Sequence, residues 1–206
     1  MNGLENWFCA TTFWRNVTRH KLLPWILQGY DHGDRVLELG AGPGAATSAL
    51  QGKFSSVTCL EYSGSFAAKL MRETRAREAR GGDASPAVSN GKCAVRVVQG
   101  DAARLPFADA SFTCAIAILM LHHLRSPELQ NAALAEAFRV LQPGGMLLAL
   151  EIHDGWLQRL VHTRSTFVPL TAATANARLS TVGFARVSVD FFRGGFAMRA
   201  RRVEAA

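Results

Sequence analysis

Three glycines at alternate positions, Gly40, Gly42 and Gly44, stand where the apolar run Arg35 to Leu39 ends and helix formers resume at Ala45. Lacking Cβ atoms, such a turn bends tightly and brings backbone amides close to a ligand at the start of a helix. With Ala45 it also satisfies G-x-G-x-x-A, so these residues alone fit a nicotinamide or flavin dinucleotide as well as another cofactor, and a tight turn without a ligand is the bland alternative. Glu61 follows Gly40 by 21 residues, the spacing at which a carboxylate accepts hydrogen bonds from ribose hydroxyls, which points to an adenosine-containing ligand. Asp101, in Gln99-Gly100-Asp101-Ala102, offers a second carboxylate at that edge, or else a turn or helix cap. His122 and His123 are adjacent imidazoles of the type that exchanges protons near neutral pH. At least one of them is expected only to fix its own loop. Glu151, His153 and Asp154 are second choices for the same cavity.

The elements that must position these groups alternate. Strand-like runs occur at Arg35 to Leu39, Val57 to Tyr62, Ala94 to Gln99, Phe112 to Leu121 and Met146 to Ile152, separated by helix-like segments Ala45 to Leu50, Ser65 to Arg80 and Pro127 to about Leu141. Ser126 and Pro127 form a helix start, and Gln142-Pro143-Gly144-Gly145 a break. The fourth run is nearly all apolar, as in a central strand covered on both faces. A helix from Ala172 to Val182 leads through Gly183 into Ala185 to Phe191, and Gly194-Gly195 turns into Phe196 to Arg202, a closing hairpin. This is a doubly wound α/β pattern with a final antiparallel strand, whose ligands bind beyond the carboxyl ends of the strands. Gly81 to Lys92 reads as a surface loop.

Composition bounds the function. The 206 residues are 49% apolar and 19% charged, enough for a single globular domain. The longest apolar run, Cys114 to Leu121, is far short of the roughly 20 residues that span a bilayer, and the N-terminus lacks the pattern of a secretory signal, so a cytoplasmic protein is expected. Cys9, Cys59, Cys93 and Cys114 form no Cys-x-x-Cys pair, and neither a disulfide framework nor a metal is expected. Cys59 and Cys114 read as small buried hydrophobes. The net charge of +7 comes from 19 Arg and 4 Lys against 16 acids. Arg72, Arg75, Arg77 and Arg80 read as a solvated helix face, and Arg199, Arg201 and Arg202 as an exposed strand end, so no specific nucleic-acid partner is expected.

Several motifs in order resemble the class I S-adenosylmethionine-dependent methyltransferases. Val36-Leu37-Glu38-Leu39-Gly40-Ala41-Gly42-Pro43-Gly44 is similar to the family's first motif. Asp101 to Phe107, Ser111-Phe112, Leu121-His122-His123-Leu124 and Arg139-Val140-Leu141-Gln142-Pro143-Gly144-Gly145 resemble its small-molecule branch, related to the quinone-biosynthesis enzymes. The resemblance implies a seven-stranded Rossmann-like sheet in the order 3-2-1-4-5-7-6 and transfer of a methyl group to the O, N, S or C atom of a small acceptor. It implies that Gly40, Ala41, Gly42 and Gly44 cradle the methionine end, Glu38 orients its ammonium, Glu61 holds the ribose and Asp101 with Ala102 meets the adenine. Tyr62 and Ile118 complete that set. His122 would face the acceptor, with His123 beside it. One departure is Thr113, where the family commonly has Asp, and it puts a strand-edge hydrogen bond in question. No Tyr-x-x-x-Lys relay supports a dehydrogenase, and neither Asn/Asp-Pro-Pro-Tyr/Phe nor Pro-Cys supports a nucleic-acid methylase. RNA or protein methylation and a non-catalytic cofactor-binding module stand as alternatives.

Residues 1–30 are expected to cover the substrate side of a core at 31–206. Trp7, Phe8, Phe13, Trp14 and Val17 recur at near-helical spacing before Pro24 interrupts. The stripe is expected to pack on the sheet. With Arg15, Arg19 and Lys21 it would alternatively make a peripheral membrane contact. Candidate substrate contacts are Trp7, Phe8, Trp14 and His153, with His162 and Arg164 from the segment after the fifth strand, where Trp156 and Phe167 add apolar surface.

Overall fold

A computed structural model describes residues 8–80, 93–163 and 165–203, so the loop expected over 81–92, together with Trp7 and Arg164, lies outside the described residues. The strands are β1 (Arg35–Leu39), β2 (Ser56–Glu61), β3 (Ala94–Gln99), β4 (Phe112–Ile118), β5 (Leu141–Ile152), β6 (Phe184–Phe192) and β7 (Gly195–Arg202). They form one sheet in the order β3-β2-β1-β4-β5-β7-β6. Strands β1 to β5 pair in parallel, and β7 runs antiparallel to both β5 and β6. The helices are α1 (Thr12–Val17), α2 (Leu23–Leu27), α3 (Thr47–Leu50), α4 (Gly64–Ala79), α5 (Pro127–Val140), α6 (Trp156–Val161) and α7 (Ala172–Val182). Among the described residues no helix is long and apolar enough to cross a membrane.

Alternation along the central strands builds two cores. Leu37, Leu39, Ala115 and Ala117 face Leu134 and Ala137 of α5 and Leu179 of α7. Val36, Cys114 and Ile116 face the other way, toward Leu23 and Ile26 of α2, Leu50 of α3 and Leu70 of α4. Cys59 and Cys114 are wholly buried, and burial pushes both thiols far up, as inert core residues require.

Several boundaries differ from the sequence expectation for physical reasons. Strand β4 stops at Ile118 because Leu119 adopts φ +53° and turns the chain out of the sheet. Helix α3 begins at Thr47 rather than Ala45, after Gly44 at φ +80°. The Gln142-Pro143-Gly144-Gly145 run does end α5, but it belongs to β5: Leu141 pairs with Phe112, and a register shift follows before Cys114 pairs with Met146. A bulge is where a sheet tolerates proline. Pro24 does not interrupt the N-terminal segment, since a π-helical turn over Thr18–Leu22 precedes it and backbone dihedrals stay helical through Leu23. A wider turn accommodates the missing N–H and the ring. Thr113 restores the bond in question, its Oγ accepting from Arg35 N and donating to Arg35 O, both at 3.0 Å.

The arginines of β7 are not an exposed end. Arg199 is 5% exposed, donates to the carbonyls of Trp25 (2.9 Å) and Ile26 (3.1 Å) and to Asp190, and lies 5.0 Å over the Trp25 ring. Arg202 reaches the carbonyls of Phe138, Arg139 and Leu141 at the end of α5, and Arg201 that of Gly144. A guanidinium's several donors suit the acceptors that a helix end leaves without internal partners. The expected solvated face does hold on α4, where Arg72, Arg75 and Arg80 are exposed.

Arg199 therefore fastens α2, and with it the segment before it, to the sheet. Arg199→Met should lower stability to denaturant by about 2–3 kcal/mol, the range for hydrogen bonds to a charged group, and speed proteolysis within 8–30, while Arg72→Met changes neither. A wild-type denaturation midpoint for Arg199→Met would refute this fastening.

Candidate functional site

One cavity of about 1360 Å³ opens beyond the carboxyl ends of the parallel strands, as the fold requires. Its floor is the turn after β1, held to β2 by two bonds, from Gly40 N (2.9 Å) and Ala41 N (3.1 Å) to Leu60 O. Gly40, Gly42 and Gly44 all have positive φ. They differ in purpose. A Cβ on Gly40 would collide with Met120, and one on Gly44 would come within 2.6 Å of Leu70, so these two permit packing. A Cβ on Gly42 meets nothing within 4 Å, so this glycine leaves space on the cavity wall that a ligand can approach. Gly44, expected beside the cofactor, is turned to α4 and does not line the cavity, whereas Gly40, Ala41 and Gly42 do.

Glu61 ends β2 against this turn, its Oε2 accepting from Gly42 N at 2.7 Å and its Oε1 from Ser63 N at 2.8 Å. The carboxylate is buried yet reaches the cavity wall, together with the exposed Tyr62. Asp101 and Ala102, after β3, lie on the same wall, and Asp101 Oδ1 also accepts from Ala103 N at 2.9 Å, so it shapes its own turn. Glu38 projects from β1 and is 3% exposed. Its Oε2 accepts from Thr47 Oγ at 2.5 Å and from Cys59 Sγ at 3.3 Å. Burial raises its pKa to about 7, against the opposing effect of these bonds.

Across the cavity, past Ile118, the 3-10 turn Leu121–His123 carries both histidines. His122 is 2% exposed, and its Nδ1 lies 2.6 Å from Oε2 of the fully buried Glu151, whose Oε1 accepts from Leu121 N at 2.8 Å. Since a carboxylate only accepts, it takes a hydrogen bond from Nδ1, which in the neutral ring leaves the lone pair on Nε2. His123 Nδ1 meets Thr166 O at 3.2 Å. Burial above all, with His122 beside it, pushes its pKa down to about 3, so it is neutral at working pH. His162, at the end of α6, holds Gln158 O through Nδ1 at 2.7 Å and stacks on Phe167 at 4.6 Å. The three imidazoles form one cluster with ring centroids 4.2–5.4 Å apart.

Glu151, a second choice by sequence, is thus the direct partner of His122. His153 is exposed against Phe191 and does not line the cavity, and Asp154 is paired with Arg159 outside it. Phe8 and Trp14, 5.4 Å apart, line the cavity, while Phe13 is exposed, so the stripe covers the cavity rather than packing flat on the sheet. Sequence reasoning missed Gln130. This wholly buried α5 side chain donates to Leu121 O (3.1 Å) and Val168 O (2.7 Å), while Val168 N donates to His122 O. A lone glutamine in a helical pattern carries no signal of that role.

Residues 37–149 match the family model described as a methyltransferase domain. A demethylmenaquinone methyltransferase of Beutenbergia cavernae is 31% identical over 67% of this chain and 46% of its own length. A ubiquinone/menaquinone biosynthesis C-methyltransferase of Erwinia tasmaniensis is 36% identical over 60% of this chain and 44% of its own. The chain thus spans about half the length of these relatives. A Methanosarcina mazei S-adenosylmethionine-dependent methyltransferase structure superposes with a TM-score of 0.68 at 20% identity, covering 88% of this chain and 98% of that one.

The raised pKa of Glu38 has a consequence for stability. A carboxyl whose pKa lies at about 7 when folded and 4.5 when unfolded binds its proton more tightly in the folded protein. Its contribution is complete below the lower value and is lost as pH rises to the upper one. Stability should fall by up to about 3 kcal/mol across that window, and Glu38→Gln should flatten the slope. Denaturant titrations at closely spaced pH check it, and an unchanged slope in Glu38→Gln would rule it out.

Proposed function

Because the chain belongs to the methyltransferase-domain family, we propose that it transfers the methyl group of S-adenosylmethionine to a small aromatic acceptor. The observation that carries this reading is the single cavity bounded on one side by Gly40, Ala41, Gly42 and Glu61 and on the other by the histidine cluster. The open position at Gly42 and the carboxylates at the strand ends fit the cofactor. Gly40 to Gly42 would take its methionine end, Glu38 its ammonium, Glu61 its ribose and Asp101 with Ala102 its adenine. Tyr62 and Ile118 would flank it. A bound ammonium would also favour ionised Glu38. Bound there, S-adenosylmethionine supplies a sulfonium methyl open to in-line displacement, so alignment of the acceptor accounts for much of the rate.

The acceptor would lie between Phe8, Trp14 and the histidines. His122, oriented by Glu151, offers its Nε2 lone pair to a hydroxyl or acidic carbon there. The quinones in the names of the two relatives favour a quinone-type ring, hydroxylated in its reduced form, as acceptor. Residues 1–30 would serve as the lid and 31–206 as the core, a division supported by Val17, Lys21, Leu22 and Trp25 on the cavity wall. A cytoplasmic setting accords with the wholly buried, inert thiols of Cys59 and Cys114.

Calorimetry should detect S-adenosylhomocysteine binding and none of nicotinamide dinucleotides. Gly42→Val should abolish that binding, and Glu61→Ala should weaken it by about 1–3 kcal/mol. Unchanged affinity in both variants would sink the assigned cofactor side. Radioactive methyl incorporation into a panel of hydroquinones and phenols, with RNA and protein controls, tests the acceptor class, and label only in a macromolecule would reverse it. On the labelled acceptor, His122→Ala should lower turnover by about 10²-fold with S-adenosylhomocysteine affinity kept. Full turnover in that variant would reduce His122 to a loop fastener.

A further inference from the structure

We infer that His122, His123 and His162 form a three-imidazole site for a zinc-type divalent ion, whose open position faces the acceptor cavity. One ring nitrogen from each residue lies within 4.8 Å of the other two, and no other cluster of His, Cys, Asp or Glu among the described residues gathers three ligand atoms in this way. Ligands about 2.0–2.1 Å from a tetrahedral zinc are roughly 3.3–3.5 Å from one another. Binding an ion would draw the three nitrogens in from within 4.8 Å of one another to that spacing.

The hydrogen bonds around the cluster carry the inference further than proximity alone. Each Nδ1 is engaged by an acceptor outside the trio: the Glu151 carboxylate for His122, Thr166 O for His123 and Gln158 O for His162. A carboxylate and a carbonyl only accept, so each ring when neutral carries its hydrogen on Nδ1 and its lone pair on Nε2. Three such rings, one backed by a carboxylate and two by carbonyls, are the outer-shell arrangement that orients histidine ligands and strengthens them as donors. The buried Glu151 also supplies negative charge next to an incoming cation. A loop fastener needs one such bond. Three imidazoles from two separate segments, each with a ring nitrogen within 4.8 Å of the other two on a cavity wall, need a reason to be together.

Three protein ligands with the fourth position open is the catalytic rather than the structural form of a zinc site. That position would take the oxygen of a phenol-type acceptor, an assignment that rests on the methyl-transfer reading above. Coordination there would let the hydroxyl proton leave to water and would hold the acceptor as its oxyanion. For oxygen methylation, an oxygen–carbon bond then forms at the methyl group as the sulfur–carbon bond breaks and its electron pair goes to sulfur. For carbon methylation, the oxyanion pushes electron density to a ring carbon, which takes the methyl group and afterwards loses its own proton to water. With the ion in place the His122 lone pair would serve the ion, which would hold the acceptor instead of the direct contact by which His122 acts without it.

The test uses the full chain without a histidine tag, stripped with a chelator and titrated with Zn²⁺ against a competing indicator, with Co²⁺ absorption as a second reading. One equivalent should bind, and cobalt should give the intense visible bands of tetrahedral coordination. His162→Gln and His123→Gln should each weaken binding by 100-fold or more, and Glu151→Gln by about 10–100-fold, as for an outer-shell partner. In the stripped protein His162→Gln should keep S-adenosylhomocysteine affinity, which shows that the fold is retained. No stoichiometric ion, or equal affinity in His162→Gln, overturns the site. Absence of the ion from a protein that still binds S-adenosylhomocysteine removes the metal and leaves the transfer reading intact. Stoichiometric zinc in a protein that binds no S-adenosylhomocysteine supports the metal site and defeats that reading.

Discussion

The histidine side of the cavity depends on one buried carboxylate. Glu151, next to last in β5 and without solvent exposure, holds Leu121 N with one oxygen and His122 with the other. A carboxylate taken fully out of water costs several kcal/mol unless both oxygens are satisfied, so the turn after β4 cannot shift without stranding it. Glu151 is placed in turn by the sheet. Ile118 pairs with Leu150, and Leu119 N donates to Leu150 O just before the chain leaves the sheet at Leu119. The positive φ of that leucine is a local strain of the kind that persists only where surrounding bonds over-determine the backbone.

Glu61 does for the glycine turn what Glu151 does for the histidine turn. It sits at the end of β2 and receives the Gly42 and Ser63 amides, so the loop is held in its left-handed conformations before any ligand arrives. Two strand-end carboxylates, one on each side of the central pair β1 and β4, therefore pre-form the opposite walls of one cavity. Such pre-organisation would serve the proposed methyl displacement, whose rate depends on alignment, because a wall that must be ordered on binding spends part of the binding energy on its own entropy.

What could be read from the sequence was local. The glycine turn, Glu61, the Ser126 cap, the apolar alternation of the strands and the closing hairpin are signalled by residues within a few positions of one another, and all appear in the structure. The readings that failed concern backbone conformations without a sequence mark and distant partners. Pro24 looks like a break because the π-helical turn that accommodates it has no sequence mark. Strand β4 looks longer because its apolar run continues past the residue at which the backbone turns. His162 could be chosen as a cavity residue, but its place beside His122 and His123 depends on how α6 docks, which no spacing encodes. The role of Gln130 is invisible for the same reason.

The basic charge follows the same logic. Arg199 and Arg202 looked like surface charge because a run of arginines near a terminus usually is, yet they reach back to backbone carbonyls 61–174 residues earlier in the chain. A carbonyl satisfies a guanidinium's donors without cancelling its charge. Arg202 bonds to three carbonyls, Arg201 to one, and Arg178 to Asn131, Gln130 and Pro127, all neutral acceptors. Arginines used in this way raise the net charge while serving only the fold, so part of the +7 needs no anionic partner to explain it. The arginines left on the solvated face of α4 lie among Glu73 and Glu78, which leaves no unbroken basic surface there for a phosphate backbone to follow.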